Sequence, residues 1–396
     1  MTGYDLAVST MNGPASVSVR LNPFKRTGAL PDGTRVPWCD YGYVLESRPC
    51  FTLDPLFHAG SYYVQDSSAM FVGWLFRRLV GEGEGSGLRV LDLCAAPGGK
   101  TTDLAASLRE RSGDDFLLVA NEVMQQRARI LSENVAVWGD PNIVVTSVDP
   151  KAFASLGGFF DVILADVPCS GEGMFRKDKK AFDEWSEDVV SLCESRQRRI
   201  LADVWPALKE GGILIYSTCT FEDRENDGNL AWAAETLGGE LLTASGEAPF
   251  EGIRKTSRGY LLVTGEVPGE GQYAGALRKT AAAPAHSGIA GLDSLHPLRS
   301  GVSKGVMKGK DFVPDPDYAL SLAFDDAAYP AVDVDRSTAL SFLHRDAIVL
   351  KDAPLGYVVL RYEGLPLGFV KNLGRRCNNL HPQGRRILMD INKQDG

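Results

Sequence analysis

Two cysteines fifty residues apart, Cys169 and Cys219, each follow a short apolar run. Phe159–Ala165 leads into Asp166-Val-Pro-Cys169-Ser-Gly171, and Ile213–Tyr216 leads into Ser217-Thr-Cys219-Thr220. Runs this short, bounded by glycine or charge, predict buried parallel strands. Open α/β sheets bind ligands beyond the carboxyl ends of their strands, so both thiols would face one crevice. The plainer alternative is two buried small hydrophobes, the common fate of an intracellular cysteine. The residues upstream weigh against it.

Leu88-Arg-Val-Leu-Asp92 reads as a strand, Cys94, Ala95, Ala96, Pro97, Gly98 and Gly99 as a turn, and Lys100 onward as a helix. Strand, glycine turn and helix form the first unit of a nucleotide-binding α/β fold, where the turn lets backbone approach a ligand. The G-x-G-x-x-G spacing of a dinucleotide site is absent, and Cys94 stands where a P-loop needs its first glycine. An adenosine-containing ligand without a pyrophosphate fits better.

Later strand ends repeat the logic. Phe116–Ala120 ends in Asn121-Glu122, and a carboxylate there can accept both hydroxyls of a ribose. The helical stretch Met124–Val137, which carries Arg127, precedes the strand Ile143–Thr146, and Asp149 follows. Asp149 is suited equally to an adenine amino group and to capping a helix. Cys94, Glu122, Asp149 and Asp166 thus outline one ligand laid across a switch point, and S-adenosylmethionine is the candidate.

The elements that must hold these residues divide the chain into four parts. Residues 1–80 form an amino-terminal segment, closed by the glycine-rich loop Gly81–Gly87. Residues 81–280 form the catalytic α/β unit, with Tyr260–Val263 and Gln272–Leu277 as its last strands. Residues 281–315, rich in Ala, Gly, Ser and Pro, read as a linker. Residues 316–396 hold short strands at Ala347–Leu350, Tyr357–Tyr362 and Leu367–Val370. The seven cysteines are odd in number and lack C-x-x-C pairs, which argues against a disulfide framework and a zinc site. No apolar run approaches a membrane span and no signal peptide opens the chain, so a reducing, cytoplasmic compartment is expected.

Three of these motifs together resemble the Sun-type RNA cytosine-5 methyltransferases: Cys94–Lys100, Asp166–Gly171 and Ser217–Phe221. Gly171-Glu-Gly-Met-Phe-Arg-Lys177, the stretches Arg20-Leu-Asn22-Pro and Phe57–Ser68, and Pro366–Phe369 with Leu380–Gly384 are similar to the bacterial RsmF-like branch. Val167 departs slightly, since alanine is usual there, and residues 1–12 are shorter than the helix that opens these proteins. The resemblance implies a Rossmann-like class I S-adenosylmethionine-dependent methyltransferase domain. It adds a small amino-terminal RNA-binding subdomain and a β-rich, PUA-like carboxy-terminal module. It also implies a monomer acting on RNA, with 16S ribosomal RNA or the small subunit as the expected partner.

Carbon 5 of cytosine attacks a methylsulfonium poorly. A thiolate added at carbon 6 makes carbon 5 nucleophilic and splits one hard step into easier ones. By resemblance Cys219 is that thiolate, Asp166 bonds the exocyclic amine and ring nitrogen 3, and Cys169 assists product release. The cofactor would be held by Cys94–Lys100, Glu122, Arg127, Asp149 and Asp166. DNA-type enzymes attack instead from the Pro-Cys motif and need no second cysteine. A factor that binds RNA without chemistry is the other alternative, and the intact motif set argues against it.

A net charge of −9 sits uneasily with RNA, whose affinity leans on phosphate contacts. Positive charge is therefore expected to be local. From Lys371 onward six basic residues, among them Arg375, Arg376, Arg385 and Arg386, meet two acidic ones. Arg176 and Lys177 follow the Cys169 motif, Arg196 and Gln197 lie on a helix predicted over Leu192–Leu208, and Arg20 and Asn22 sit near the amino-terminal strand. All ten are RNA-contact candidates. Gln197 is expected to position the flipped base or its backbone.

Overall fold

The computed structural model describes residues 15–27, 31–80, 87–243, 245–283 and 290–391, with Asp5, Val8 and Ser9. Most of residues 1–12, most of the Gly81–Gly87 loop and Lys393 lie outside the described residues.

The amino-terminal part is a four-stranded antiparallel sheet, β1 (Ser18–Leu21), β2 (Gly33–Arg35), β3 (Gly42–Leu45) and β4 (Tyr62–Val64), in the order β2-β3-β1-β4. Helix α1 (Pro55–Ala59) starts where the Asp54 carboxylate accepts from the Leu56 amide, a donor the helix itself leaves unpaired. Helix α2 (Phe71–Leu79) buries Phe71, Val72, Leu75 and Phe76, an apolar face at helical spacing, on the sheet that follows.

That sheet is the centre of the molecule. β5 (Leu88–Asp92), β6 (Phe116–Asn121), β7 (Ile143–Thr146), β8 (Phe160–Asp166) and β9 (Leu208–Thr218) run parallel in the order β9-β8-β5-β6-β7. Helices α3 (Gly99–Ser112) and α4 (Gln125–Trp138) join α2 on one face. Helix α5 (Lys179–Glu184) follows the Cys169 loop, and α6 (Glu187–Val204) and α7 (Asp227–Leu237) flank the sheet. The apolar sides of α6 and α7, with Ile200, Leu201, Val204, Leu230 and Ala233, cover the opposite face. With helices on both faces, the parallel strands are buried twice over, which is why they read as continuous apolar runs.

β10 (Gly239–Leu241), β11 (Ile253–Lys255), β12 (Gly259–Leu262) and β13 (Gln272–Lys279) complete one side, with β13 antiparallel to both β9 and β12. The predicted terminal hairpin is thus present. The expected linker is different. β14 (Arg299–Ser300) adds an antiparallel edge to β7, and β15 (Gly305–Lys308) pairs with β16 (Asp311–Pro314). A two-residue edge strand needs no apolar pattern, so composition concealed it.

The carboxy-terminal sheet consists of β17 (Ala331–Asp333), β18 (Gly356–Tyr362), β19 (Leu365–Asn372) and β20 (Cys377–Asn379) in that order, with α8 (Arg336–His344) against it. Ala347–Leu350 is not a strand. Its carbonyls are met singly, Ile348 by the Cys377 amide and Leu350 by the Asn372 side chain. Leu53 and Ala59 share one apolar cluster with Ala339, Leu340, Phe342 and Leu343. The Leu322 amide donates to the carbonyl of Gly139 at the end of α4. The carboxy-terminal part therefore packs on both of the others.

Candidate active site

From β5 the chain winds outward through β6 and β7, then returns to β8 on the other side of β5. The gap between β5 and β8 is the switch point where such sheets bind ligands. Asp92 and Cys94 close β5, Asp166 closes β8, and Ser217, Thr218 and Cys219 close β9. In-register pairing sets Asp166 opposite Ser217 and delivers the two cysteine loops to one place. There the Sγ atoms of Cys169 and Cys219 lie 3.2 Å apart. Lys100, in the first turn of α3, sets Nζ 2.9 Å from Asp166 Oδ2. Asp166 Oδ1 accepts from Ser217 Oγ at 2.6 Å and from Gln272 Nε2 at 3.3 Å, and Gln272 also donates to the Thr218 carbonyl. Cavities of about 560 and 370 Å³ meet here, both lined by Cys94, Asp166, Met174 and Cys219.

The electrostatics separate the two thiols. The contact with Cys219, then burial and the charges of Glu225 and Glu172, push the Cys169 thiol well above its usual range. Cys169 is thus the thiol whose proton is held more tightly than usual, while either sulfur can donate in the contact between them. Burial works against the Lys100 ammonium, but Asp166 beside it, with a smaller contribution from Cys219, outweighs burial and raises its pKa. A cation is thus held beside the Asp166 carboxylate in a cavity that Cys219 also lines.

The residues present suit S-adenosylmethionine, a cationic ligand. Three carboxylates (Asp92, Glu122 and Asp166) face two cations, Lys100 and Arg127. Asp92 is 1% exposed; Thr101 Oγ1 donates to its Oδ2 at 2.6 Å, while Oδ1 has no hydrogen-bond partner among the described residues. Burial pushes Asp92 up to about 7. Glu122 is buried beneath Arg127, which lines the larger cavity and bridges Glu122 at 3.1 Å to the Ala96 carbonyl at 2.8 Å. Asp149 is exposed and caps the turn after β7 by accepting from the Lys151 amide.

Gly98 adopts a φ of 113°, where a Cβ would also come within 3.2 Å of Leu131. Gly98→Val is accordingly expected to weaken cofactor binding, by about tenfold or more, through the backbone strain it forces on the loop. In the unaltered protein, affinity should rise as pH rises through about 7, because only ionised Asp92 attracts the cation. The limit for one linked proton is about tenfold per pH unit. Calorimetric titration of S-adenosylmethionine at several pH values checks both, and Asp92→Asn should remove the pH dependence.

The RNA-contact candidates fare unevenly. Arg20 and Asn22 are wholly buried. The Arg20 guanidinium serves Gln65, Thr102 and the Gly99 carbonyl, and Asn22 bonds the carbonyls of Gly60 and Trp138, so both fasten the amino-terminal sheet to the catalytic unit. Gln197 is buried too, donating to the Pro168 carbonyl at 2.9 Å and to Glu225 at 2.6 Å; it supports the Cys169 loop from behind. Arg176 is paired with Glu270, Lys177 with Asp66, and Arg385 with Asp317. Arg196, Arg375, Arg376 and Arg386 are exposed. Sequence reasoning passed over Gln272, Ser217, Ser170, Glu172 and Glu225.

The profile described as 16S rRNA methyltransferase RsmB/F matches residues 84–238. The N-terminal domain of 16S rRNA methyltransferase RsmF matches residues 3–67, and the methyltransferase RsmF PUA domain residues 329–387. Ribosomal RNA small subunit methyltransferase F of Escherichia coli O157:H7 is 34% identical over 301 residues, which cover 71% of this chain and 61% of the relative. The protein of that name from Pectobacterium atrosepticum is 33% identical over 297 residues, 70% of this chain and 59% of the relative. The chain thus spans about three fifths of the length of the curated relatives it matches. A methyltransferase homolog protein from Pyrococcus horikoshii superposes with a TM-score of 0.57 at 27% identity, covering 69% of this chain and 89% of that one. NSun6 from Pyrococcus horikoshii, solved with SFG, has the same fold: TM-score 0.57, 18% identity, 70% and 94% coverage. A Rossmann-like methyltransferase domain joined to RsmF-type amino-terminal and PUA domains accounts for both the matches and the sheet order, and the chain belongs to the RsmB/F methyltransferase family in its RsmF branch.

Proposed function

We propose that this protein methylates carbon 5 of a cytosine in RNA, with the small-subunit ribosomal RNA as substrate. The observation that carries the reading is the pair of sulfurs 3.2 Å apart beside the Lys100–Asp166 pair, where two cavities meet. S-adenosylmethionine would supply the methyl group, held by the Cys94–Lys100 loop, Glu122, Arg127, Asp149 and Asp166. SFG, an analogue of that cofactor, in a neighbour of the same fold supports this choice.

Cys219 adds to carbon 6 of the base, and Asp166 accepts from the exocyclic amine while Lys100 offers positive charge to the ring. Once carbon 5 carries the methyl group, its proton leaves to a base. The electron pair re-forms the carbon 5–carbon 6 double bond, and the carbon–sulfur bond breaks toward Cys219. Cys169, whose proton is held more tightly than usual, donates to the departing sulfur. Arg196, Arg375, Arg376 and Arg386, all exposed, would take phosphates, contacts that fix register rather than read sequence.

Bisulfite sequencing of ribosomal RNA from a deletion strain should show one small-subunit cytosine losing its protection, regained when the gene is restored. Unchanged ribosomal RNA with a lost transfer RNA mark would move the substrate. No lost mark in either would remove the cytosine-5 assignment.

A further inference from the structure

Behind the two thiols lies a buried polar cluster that the reaction above does not use. Ser170, next to Cys169, has its Oγ 2.9 and 3.0 Å from the two carboxylate oxygens of Glu172 and 3.0 Å from Oγ1 of Thr220, next to Cys219. The same Oγ also makes a close contact with Glu225 Oε1. Glu225 Oε2 accepts from the Ser170 amide at 3.2 Å and from Gln197 Nε2 at 2.6 Å, and Trp185 Nε1 donates to Glu172. Ser170 is 8% exposed, Glu172 2%, and Glu225, Thr220 and Gln197 are fully buried. Among the described residues no lysine or arginine forms an ion pair with either glutamate.

Counting hydrogens shows that one of the two glutamates must carry a proton. A serine hydroxyl donates once. Its single hydrogen reaches one carboxylate, and the Thr220 hydroxyl can fill only an acceptor site on Ser170. If both glutamates were ionised, one would face the serine oxygen with no hydrogen between them, at a buried site where unpaired charge is costly. Glu225 is the one suited to carry the extra hydrogen. Its Oε2 is occupied by two N–H donors, so a hydrogen on Oε1 would be directed at Ser170.

We propose that Glu225 is a positioning residue whose carboxyl hydrogen, through Ser170 and Thr220, clamps the Cys169 loop to the Cys219 loop. This rests on the reading of the two cysteines as the attacking and releasing thiols. Burial first, with the charge of Glu172 adding to it, lifts Glu225 to about 7 against the bonds from Ser170 and Gln197. The other titratable groups facing it are Glu172, Cys169, Cys193 and Tyr216; the contact with Cys219 is the main cause that raises Cys169, burial the main cause for Cys193 and Tyr216, and Glu225 adds to all three. As pH rises through about 7 the clamp hydrogen is lost and two adjacent carboxylates repel. Glutamine at 225 would keep both faces, an oxygen for the two N–H donors and an amide hydrogen for Ser170, without titrating.

The test compares the unaltered protein, Glu225→Gln and Glu225→Ala from pH 6 to 9. It reads single-turnover release of the RNA adduct and, separately, iodoacetamide labelling of Cys169 and Cys219 resolved by mass spectrometry. Release by the unaltered protein should decline above about pH 7. Glu225→Gln should match it at pH 7 within about threefold and lack the decline, while Glu225→Ala releases roughly 10- to 100-fold more slowly with cofactor affinity unchanged. A wild-type decline retained in Glu225→Gln, or wild-type release by Glu225→Ala, overturns the proposal. If the unaltered protein forms no RNA adduct at all, the cytosine-5 reading fails by itself and the labelling decides. Thiol labelling that climbs with pH more steeply in the unaltered protein than in Glu225→Gln supports the clamp, and identical profiles overturn it.

Discussion

Cys219→Ala should lower methylation by a factor on the order of 10⁴ to 10⁶, the scale seen when a covalent nucleophile is removed, and should form no adduct with RNA. Cys169→Ala should behave differently. The attacking sulfur remains, so the methyl group still transfers, but the departing Cys219 thiolate loses the S–H that faces it at 3.2 Å. Protein should then accumulate covalently joined to methylated RNA and run as a slower band on a denaturing gel. The double variant should give no such band, because the bond to the base is made by Cys219. The contact with Cys219, burial and the neighbouring Glu225 and Glu172 all raise the Cys169 thiol, which suits it to the releasing role. An adduct that persists in Cys219→Ala and vanishes in Cys169→Ala would reverse the two roles.

The parts of this site that could be read from the sequence are those carried by local pattern. Apolar runs ended by Asp166 and Ser217 gave two strands, and a strand, a Pro-Gly-Gly turn and a helix gave the cofactor loop, because each needs only neighbours in the chain. Gln272 escaped notice because it reaches Asp166 from 106 residues away, on a strand whose pairing with β9 no local spacing announces. Glu225 lies in Glu222-Asp-Arg-Glu-Asn-Asp227, which looks like a solvated charge run; the β9–α7 connection turns inward and buries its glutamate. Arg20 misled in the opposite sense. Its type suggests phosphate, yet its surroundings are Gln65, Thr102, the Gly99 carbonyl and the Trp138 ring at 4.7 Å. Charge type alone says nothing about which face of the fold a side chain meets.

Lys100→Met should slow single-turnover methylation by about 10²- to 10³-fold, the effect of deleting one preorganised charge at a reacting centre. Methionine keeps the length and much of the volume of the side chain, so the loss isolates the ammonium. Without it Asp166 Oδ2 loses its partner at 2.9 Å, and the cavity shared by Asp92, Asp166 and Cys219 loses that ammonium. Oδ1 remains held by Ser217 and Gln272, so the carboxylate should stay in place and cofactor affinity should change by less than about tenfold. Lys100→Arg should rescue poorly, since a planar fork does not replace a compact ammonium in a side-chain site only 15% exposed. Adduct formation should fall in step with methylation, because the charge acts when Cys219 adds to the ring. If Lys100→Met methylates within about threefold of the unaltered protein, the ammonium serves only to hold Asp166, and ring stabilisation must come from Asp166 and its Ser217 and Gln272 donors alone.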